Sequence, residues 1–325
     1  MHDRAKRGEI DMEGRKRVLS LGTVAMDVVI ETEQLPREDG FGFIESERLI
    51  PGGSAANLSV ALAHLGIEVY QTGKIGDDKY GNEFRRTLVE DGVDDRFLVT
   101  KPGGSTLHTY IITIPGGKHC ILANLGDSVA SLEPEELPEN ILEGIDFFYT
   151  DMFSARASIH LGKLAKKKGI PVLYNMQCPP SFMEKCGVDI KDIEEMIELS
   201  TIFASGREGY FEMTGEEEYK KGVQKFCETY SVPQGVICTA GDEGSLWIDG
   251  EDSIHVGAYS VDAVDTTGAG DCFLAGLIYA YFFKGMDRQK ALKFASGSAA
   301  IKCMKKGPRS KATVQEIEQF IYSAK

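Results

Sequence analysis

Val264-Asp265-Thr266-Thr267-Gly268-Ala269-Gly270-Asp271 runs directly into Cys272-Phe273-Leu274-Ala275-Gly276-Leu277-Ile278-Tyr279-Ala280-Tyr281-Phe282-Phe283, twelve residues without a charge. That run spans three helical turns. Phe273, Leu274, Leu277, Ile278, Tyr281 and Phe282 recur at helical spacing and line one face. The remaining positions are Ala, Gly, Cys or aromatic, so the spacing predicts a helix buried on most sides. A buried helix must still satisfy the free N–H groups of its first turn. Thr266 or Thr267 can cap it, while Gly268, Ala269 and Gly270 leave backbone amides bare of bulky side chains. Bare amides at the positive end of a helix suit an anion. Asp271 sits inside that turn, and a carboxylate beside an anion hole suits proton abstraction next to a phosphate. Taken alone, the same residues also suit an ordinary glycine-rich turn.

The bulk properties limit the choices. The 325 residues suffice for one large α/β domain or two smaller ones. A hydrophobic content of 42% with 26% charged residues is ordinary for a globular protein. The net charge of −14 argues against a general nucleic-acid or membrane binder. An anionic ligand would therefore need a locally positive site. The 7 cysteines are odd in number, widely spaced and form no CxxC, which fits free thiols in a cytoplasmic protein and no zinc site. Neither a signal peptide nor an apolar run of membrane length is expected.

Residues 1–17 are polar and mixed in charge, and read as a mobile extension ahead of a domain over 18–325. Strands are expected at 18–22 and 28–32, with Asp27 between them at a strand-end position. Residues 33–50 read as irregular edge structure. Pro51-Gly52-Gly53-Ser54 opens a helix from Ala55 to Leu65, and Asn57 falls in its first turn, either as a cap or as a ligand-facing amide. Stretches 105–114 and 119–123, joined by Pro115-Gly116-Gly117, read as a hairpin. With 28–50 they are expected to build a small separate sheet, a lid over about 28–50 and 104–125. From residue 145 onward, strands alternate with helices: 145–150, 155–168, 171–175, 192–199, 201–204, 216–230 and 235–239. Such alternation implies parallel βαβ units. Antiparallel strands at 245–249 and 253–256 precede the opening motif, and helices 288–304 and 314–323 end the chain.

Several nucleotide and catalytic motifs are missing. There is no GxxxxGK[ST], no GxGxxG, no HExxH and no GxSxG. Only 55 residues follow Gly270, too few for a dinucleotide-binding domain.

Five segments in order resemble the ribokinase-like, PfkB-type carbohydrate and nucleoside kinases. They are Gly22 to Asp27, Gly52 to Asn57, Gly73-Lys-Ile-Gly-Asp-Asp78, Thr239-Ala-Gly-Asp-Glu-Gly244 and Asp265 to Asp271. The resemblance covers about residues 18–323. It implies an α/β fold of three layers, α/β/α, with a mostly parallel central sheet and a small β-sheet lid that often mediates homodimers. It implies transfer of the γ-phosphate of ATP to a hydroxyl of a small sugar or sugar acid, with Mg²⁺ as cofactor. A nucleoside acceptor, or a non-catalytic homologue that binds sugar or nucleotide, are the alternatives.

By the same resemblance Asp271 is the catalytic base, and Gly268, Ala269 and Gly270 form the anion hole. Asp27, Gly53 and Asn57 hold substrate hydroxyls. Thr239, Gly241, Gly244 and Ser296 lie on the nucleotide side. Asp265, Thr267 and Gly307 belong to a monovalent-cation site, with K⁺ the candidate. The family's Asn-x-x-Glu stretch is replaced by Ala204-Ser-Gly-Arg-Glu-Gly209, which leaves Glu208 as the candidate Mg²⁺ support. Ser54 stands where ribokinase itself carries Lys, and Tyr149 to Phe153 replaces its substrate-facing Glu. These departures point away from ribose itself, with Asp151 or Arg156 as candidate contacts to another acceptor.

Overall fold

The computed structural model describes residues 14–115 and 118–324, so most of the expected N-terminal extension and the hairpin tip at 116–117 lie outside the described residues. A sheet residue alternates faces along its strand, and the first strand shows what this sheet has on each side. In β1 (Arg17–Leu21), Val18 enters one apolar cluster, while Leu19 and Leu21 enter another. The same split recurs in β8 (Phe147–Thr150), where Phe147 and Tyr149 point one way and Phe148 the other. A sheet apolar on both faces must be covered on both, which makes three layers.

The main sheet has nine strands in the order β13-β12-β11-β10-β9-β8-β1-β4-β5. The remaining members are β4 (Glu68–Gly76), β5 (Asp94–Lys101), β9 (Val172–Met176), β10 (Ile202–Gly206), β11 (Val236–Thr239), β12 (Ser245–Asp249) and β13 (Asp252–Val256). All pairs are parallel except β11 with β12 and β12 with β13. One face carries α1 (Ser54–His64), α2 (Lys79–Glu90), α8 (Ala269–Leu277) and α9 (Arg288–Cys303). The other carries α3 (Ala155–Lys168), α5 (Ile190–Leu199) and α7 (Tyr219–Thr229). Chain order reverses between β1 and β8: the path leaves β1 towards β5, then returns to β8 and runs the other way. Ligands of open α/β sheets sit beyond the carboxyl ends of strands at such a switch point.

A second sheet of four strands has the order β3-β2-β6-β7: β3 (Ser46–Gly52), β2 (Ala25–Glu31), β6 (His108–Ile114) and β7 (Lys118–Asn124). Asp27 departs from its expected place. It lies inside β2 of this smaller sheet, opposite Ile50 and Thr109, and not at the end of a main-sheet strand.

Other departures are local. The helix expected over 216–230 is α7, and an unforeseen α6 (Arg207–Thr214) precedes it, ended where Gly215 takes a left-handed conformation at φ 74°. The short α4 (Pro180–Lys185) was not foreseen, and neither was β5. The apolar run at 272–283 is helical throughout, but its second half, Ile278–Phe283, is a π-type turn. The chain ends in α10 (Val314–Ser323), started by Thr313 in a reciprocal cap with Glu316.

Candidate active site

The start of α8 meets the start of α1. Gly268 sits at φ 78°, and a Cβ there would lie 2.1 Å from the carbonyl oxygen of Pro308, so only glycine fits the turn. The amide of Ala269 donates to Thr266 O at 3.1 Å. That amide is therefore spent inside the turn, contrary to its expected place in an anion hole. Among the described residues the amides of Gly268, Gly270 and Asp271 have no protein acceptor. A Cβ on Gly270 would meet nothing within 4 Å, so the backbone there borders open space.

Asp271 is held from the other helix. Ser54 Oγ donates to its Oδ1 at 2.5 Å, and Asn57 Nδ2 donates to its Oδ2 at 2.9 Å. Both donors belong to the first turn of α1, which the Gly52-Gly53 turn aims at the acid. Gly53 has φ 92°, and a Cβ there would press to 2.4 Å from Thr23 O. Burial raises the pKa of Asp271, while the Ser54 and Asn57 hydrogen bonds and the charge of Lys302 pull it partly back. Asn57 is buried and has used only its NH₂ group; its Oδ1 has no hydrogen-bond partner. A buried acceptor left unpaired is costly unless a ligand supplies the donor.

Asp27 flanks this pair. Its Oδ2 lies 2.8 Å from where a Cβ on Gly52 would sit, two residues from Ser54, and its Oδ1 accepts from Thr109 Oγ1. Burial raises its pKa, and the Thr109 hydrogen bond partly offsets this.

Deeper in, at the switch point, Asp151 accepts from the amide of Thr23 at 2.9 Å and from Gln177 Nε2 at 3.2 Å. Its side chain is fully buried against Gly22, where a Cβ would come within 2.1 Å of Oδ1. Asp151 therefore ties the β1 turn to β8. Arg156 is exposed and paired with Glu133. Neither residue is placed as an acceptor contact. Tyr149 OH, reached by Asn175 Nδ2 at 3.1 Å, lies 3.5 Å from Ser54 Oγ and backs the site from β8.

On the far side of α8 opens a cleft of about 560 Å³. Thr239, Gly241, Gly244 and Ser296, expected on the nucleotide side, all line it together with Ala269 and Gly270. Sequence reasoning missed the irregular stretch after β13, where Tyr259 and Val261 form part of the wall. It also missed Ala299, Ala300 and Cys303. With Ser296 these follow i, i+3, i+4, i+7 spacing, a face of small residues on α9 that the sequence could have revealed. The cleft and the Asp271 pocket thus meet at the free amides of α8.

Glu208 lies exposed in the first turn of α6, just past the carboxyl end of β10. Ser205, at the strand end, gives its Oγ to Met176 O at 2.8 Å and faces the backbone, not the cleft. Among the described residues there is no cluster of three or more His, Cys, Asp or Glu that could hold a metal. Asp265 Oδ1 accepts from the Thr267 amide and Oδ2 from the Gly307 amide, both at 2.9 Å, so the three expected cation-site residues do come together. Burial opposes the Asp265 charge, but these amides and Lys302 outweigh it and lower the pKa.

Two helix N-termini, one acid and a cleft beside them make a site suited to moving an anionic group. The pfkB family carbohydrate kinase model matches residues 15–315. An ATP-dependent ribose-1-phosphate kinase of Halopiger xanaduensis is 31% identical over 307 residues, which cover 94% of this chain and 98% of that protein. A deoxyribokinase of Salmonella typhi is 26% identical, over 92% of this chain and 96% of its own. Among solved structures, Arabidopsis thaliana ribokinase complexed with ribose and ATP superposes with a TM-score of 0.80 at 23% identity, over 94% of this chain and 98% of its own. The chain belongs to the pfkB family of carbohydrate kinases. It is a carbohydrate kinase with the ribokinase-like fold and uses ATP as phosphoryl donor. Among the described residues no helix is long and apolar enough to cross a membrane.

Proposed function

We propose that Asp271 is the base that takes the proton from an acceptor hydroxyl as that oxygen attacks the γ-phosphate. The single observation that carries this is the unpaired, buried Asn57 Oδ1 beside the Asp271 carboxylate. A sugar hydroxyl donating to Asn57 would sit next to the base, and Asp27 offers a second carboxylate for a neighbouring hydroxyl. The raised pKa of Asp271 makes its ionised form a better base than a solvated aspartate. The amides of Gly268, Gly270 and Asp271, at the positive end of α8, would hold the oxygens of the phosphoryl group in transit. Positioning and charge stabilisation supply most of the rate in such transfers.

The adenosine part of ATP fits the cleft lined by Thr239, Gly241, Gly244 and Ser296, whose small side chains leave room for a flat base. Mg²⁺ keeps several waters and is bound largely through substrate phosphates, so it needs no protein cage. Glu208, exposed just past the carboxyl end of β10, would be a carboxylate for it, and the ion would neutralise triphosphate charge.

The acceptor is a small sugar or sugar derivative. Halopiger's enzyme is named for ribose 1-phosphate and the Salmonella enzyme for deoxyribose. Both sugars therefore lead a panel that includes ribose, fructose, sugar acids and nucleosides. Coupled measurement of ADP release against that panel tests the reading. One acceptor should stand out, and Asp271→Asn should lower its turnover by about 10²–10⁴ while nucleotide binding persists. Near-normal turnover in Asp271→Asn refutes the assignment of the base.

Two wider readings accompany this. Phe41, Phe43 and Ile44, together with Ile121 and Leu122 of β7, expose apolar side chains at the smaller sheet, which supports pairing of two chains through a lid. The cysteines among the described residues are all free, which supports a reducing, cytoplasmic setting.

A further inference from the structure

Asp265, Thr267 and Gly307 were expected to frame a monovalent cation, but a cation of the chain's own already stands among them. Lys302 is 1% exposed. Its Nζ donates to the carbonyl oxygen of Asp265 at 2.6 Å and lies 3.7 Å from Asp265 Oδ1. Other oxygens around the ammonium already accept N–H donors. Both Asp265 carboxylate oxygens accept amides. Cys303 O accepts from the amides of Val264 and Asp265, at 2.8 and 3.1 Å, and Lys302 O accepts from the Lys305 amide at 2.9 Å. A potassium ion placed against Asp265 O would displace the ammonium or sit beside it with like charge. The donor set therefore does not fit a mobile cation.

We infer that the Lys302 ammonium replaces the monovalent cation, and that turnover in this protein is independent of K⁺. Lys302 lies in the last turn of α9, where the helix carbonyls favour positive charge. Its target, Asp265 O, stands just before Thr266 to Gly270. The ammonium thus pins the base of the turn that presents the free amides, as a bound ion would, without an equilibrium to satisfy. A tethered cation also keeps positive charge near Asp271, whose pKa Lys302 helps to lower.

The inference rests on the kinase reading above, but its test has an arm that does not. Thallium(I), a spectroscopic probe for K⁺, is titrated into the full chain and followed by thallium NMR, with tetramethylammonium as the balancing salt. No saturable binding is expected, and a saturable site displaced by K⁺ would overturn the inference. In the second arm, turnover of the best acceptor is compared in K⁺, Na⁺ and tetramethylammonium chloride at equal ionic strength. Rates within about twofold of one another are expected, and tenfold activation by K⁺ refutes the idea.

The third arm is Lys302→Met, which keeps the stem and removes the charge. It should lose about tenfold or more in kcat in tetramethylammonium and regain part of it with K⁺. A variant that turns over normally in tetramethylammonium overturns the inference. If Lys302→Met does not fold, the two arms on the unaltered chain decide. If no acceptor is ever phosphorylated, the kinase reading fails while the thallium titration still answers for Lys302.

Discussion

Ser54 and Asn57 hold the same carboxylate, yet their removal should have different kinetic consequences. Ser54→Ala deletes the donor to Asp271 Oδ1 and touches nothing else in the acceptor pocket except the 3.5 Å approach of Tyr149 OH. Hydrogen bonds to charged groups are worth about 1.5–3 kcal/mol. Since Asp271 is only partly shut off from water, solvent would recover some of this, leaving about 1.4 kcal/mol, a factor of ten in ionisation. The sign follows from the chemistry. The lost bond stabilised the carboxylate, so the pKa rises further, and the acidic limb of kcat/KM against pH moves up by about one unit. KM at high pH should change little.

Asn57→Ala removes the donor to Oδ2 as well as the orphan Oδ1. The limb should move in the same direction, and KM for the sugar should also rise by about tenfold or more, since a hydroxyl loses its acceptor. Both profiles are measured by coupled assay from pH 5 to 9, with circular dichroism as the folding control. An acidic limb unmoved in both variants would show that Asp271 is not the group titrating. An Asn57→Ala enzyme with an unchanged KM would show that the unpaired oxygen is not a substrate contact.

Three further outcomes can be checked. Asp271→Asn should lower kcat by about 10²–10⁴ while the dissociation constant of an ATP analogue, read by calorimetry, stays within a few-fold. Gly268→Ala forces a side chain into a left-handed turn and against Pro308 O, so it should cost about 2 kcal/mol or more in urea unfolding and lower kcat by displacing the amides. Asp151 is the pH-sensitive stability element: burial, opposed by the Thr23 amide, pushes its pKa up to about 7. Its folded form holds a proton at pH 4–7 that the unfolded chain has released, so stability falls as pH rises through that window and is flat above it. The slope approaches about 1.4 kcal/mol per pH unit. The stability of the unaltered chain minus that of Asp151→Asn should decline from pH 4 to 7, and a difference that grows with pH contradicts this.

The parts legible in the sequence are those whose physics is local. Helical spacing in Phe273 to Phe282 and strand–helix alternation after residue 145 follow from periodicity, and both correspond to observed elements. Glycines that stop helices, such as Gly66, Gly92 and Gly169, also act within a few residues. Less legible were features decided across the chain. Asp27 falls in a second sheet because Ile50 and Thr109 pair with it from either side, and neither partner is near it in sequence. Asp151 was singled out as a candidate acceptor contact, and its structural role was not legible. Its partners Thr23 and Gln177 come from β1's exit and the loop after β9, and only the reversal of strand order brings them together.

The same distinction explains why the cation site was half legible. Asp265 and Thr267 belong to one turn, and their mutual hydrogen bond is set by two residues of chain. The Lys302 side chain was not legible, since nothing in Ile301-Lys302-Cys303 says that the ammonium turns inward. Burying an ammonium requires a carbonyl and a carboxylate waiting for it. Those come from Asp265, thirty-seven positions earlier. What carries the inference is Asp265 O, 2.6 Å from the ammonium: a tethered charge stands where the resemblance led to the expectation of K⁺.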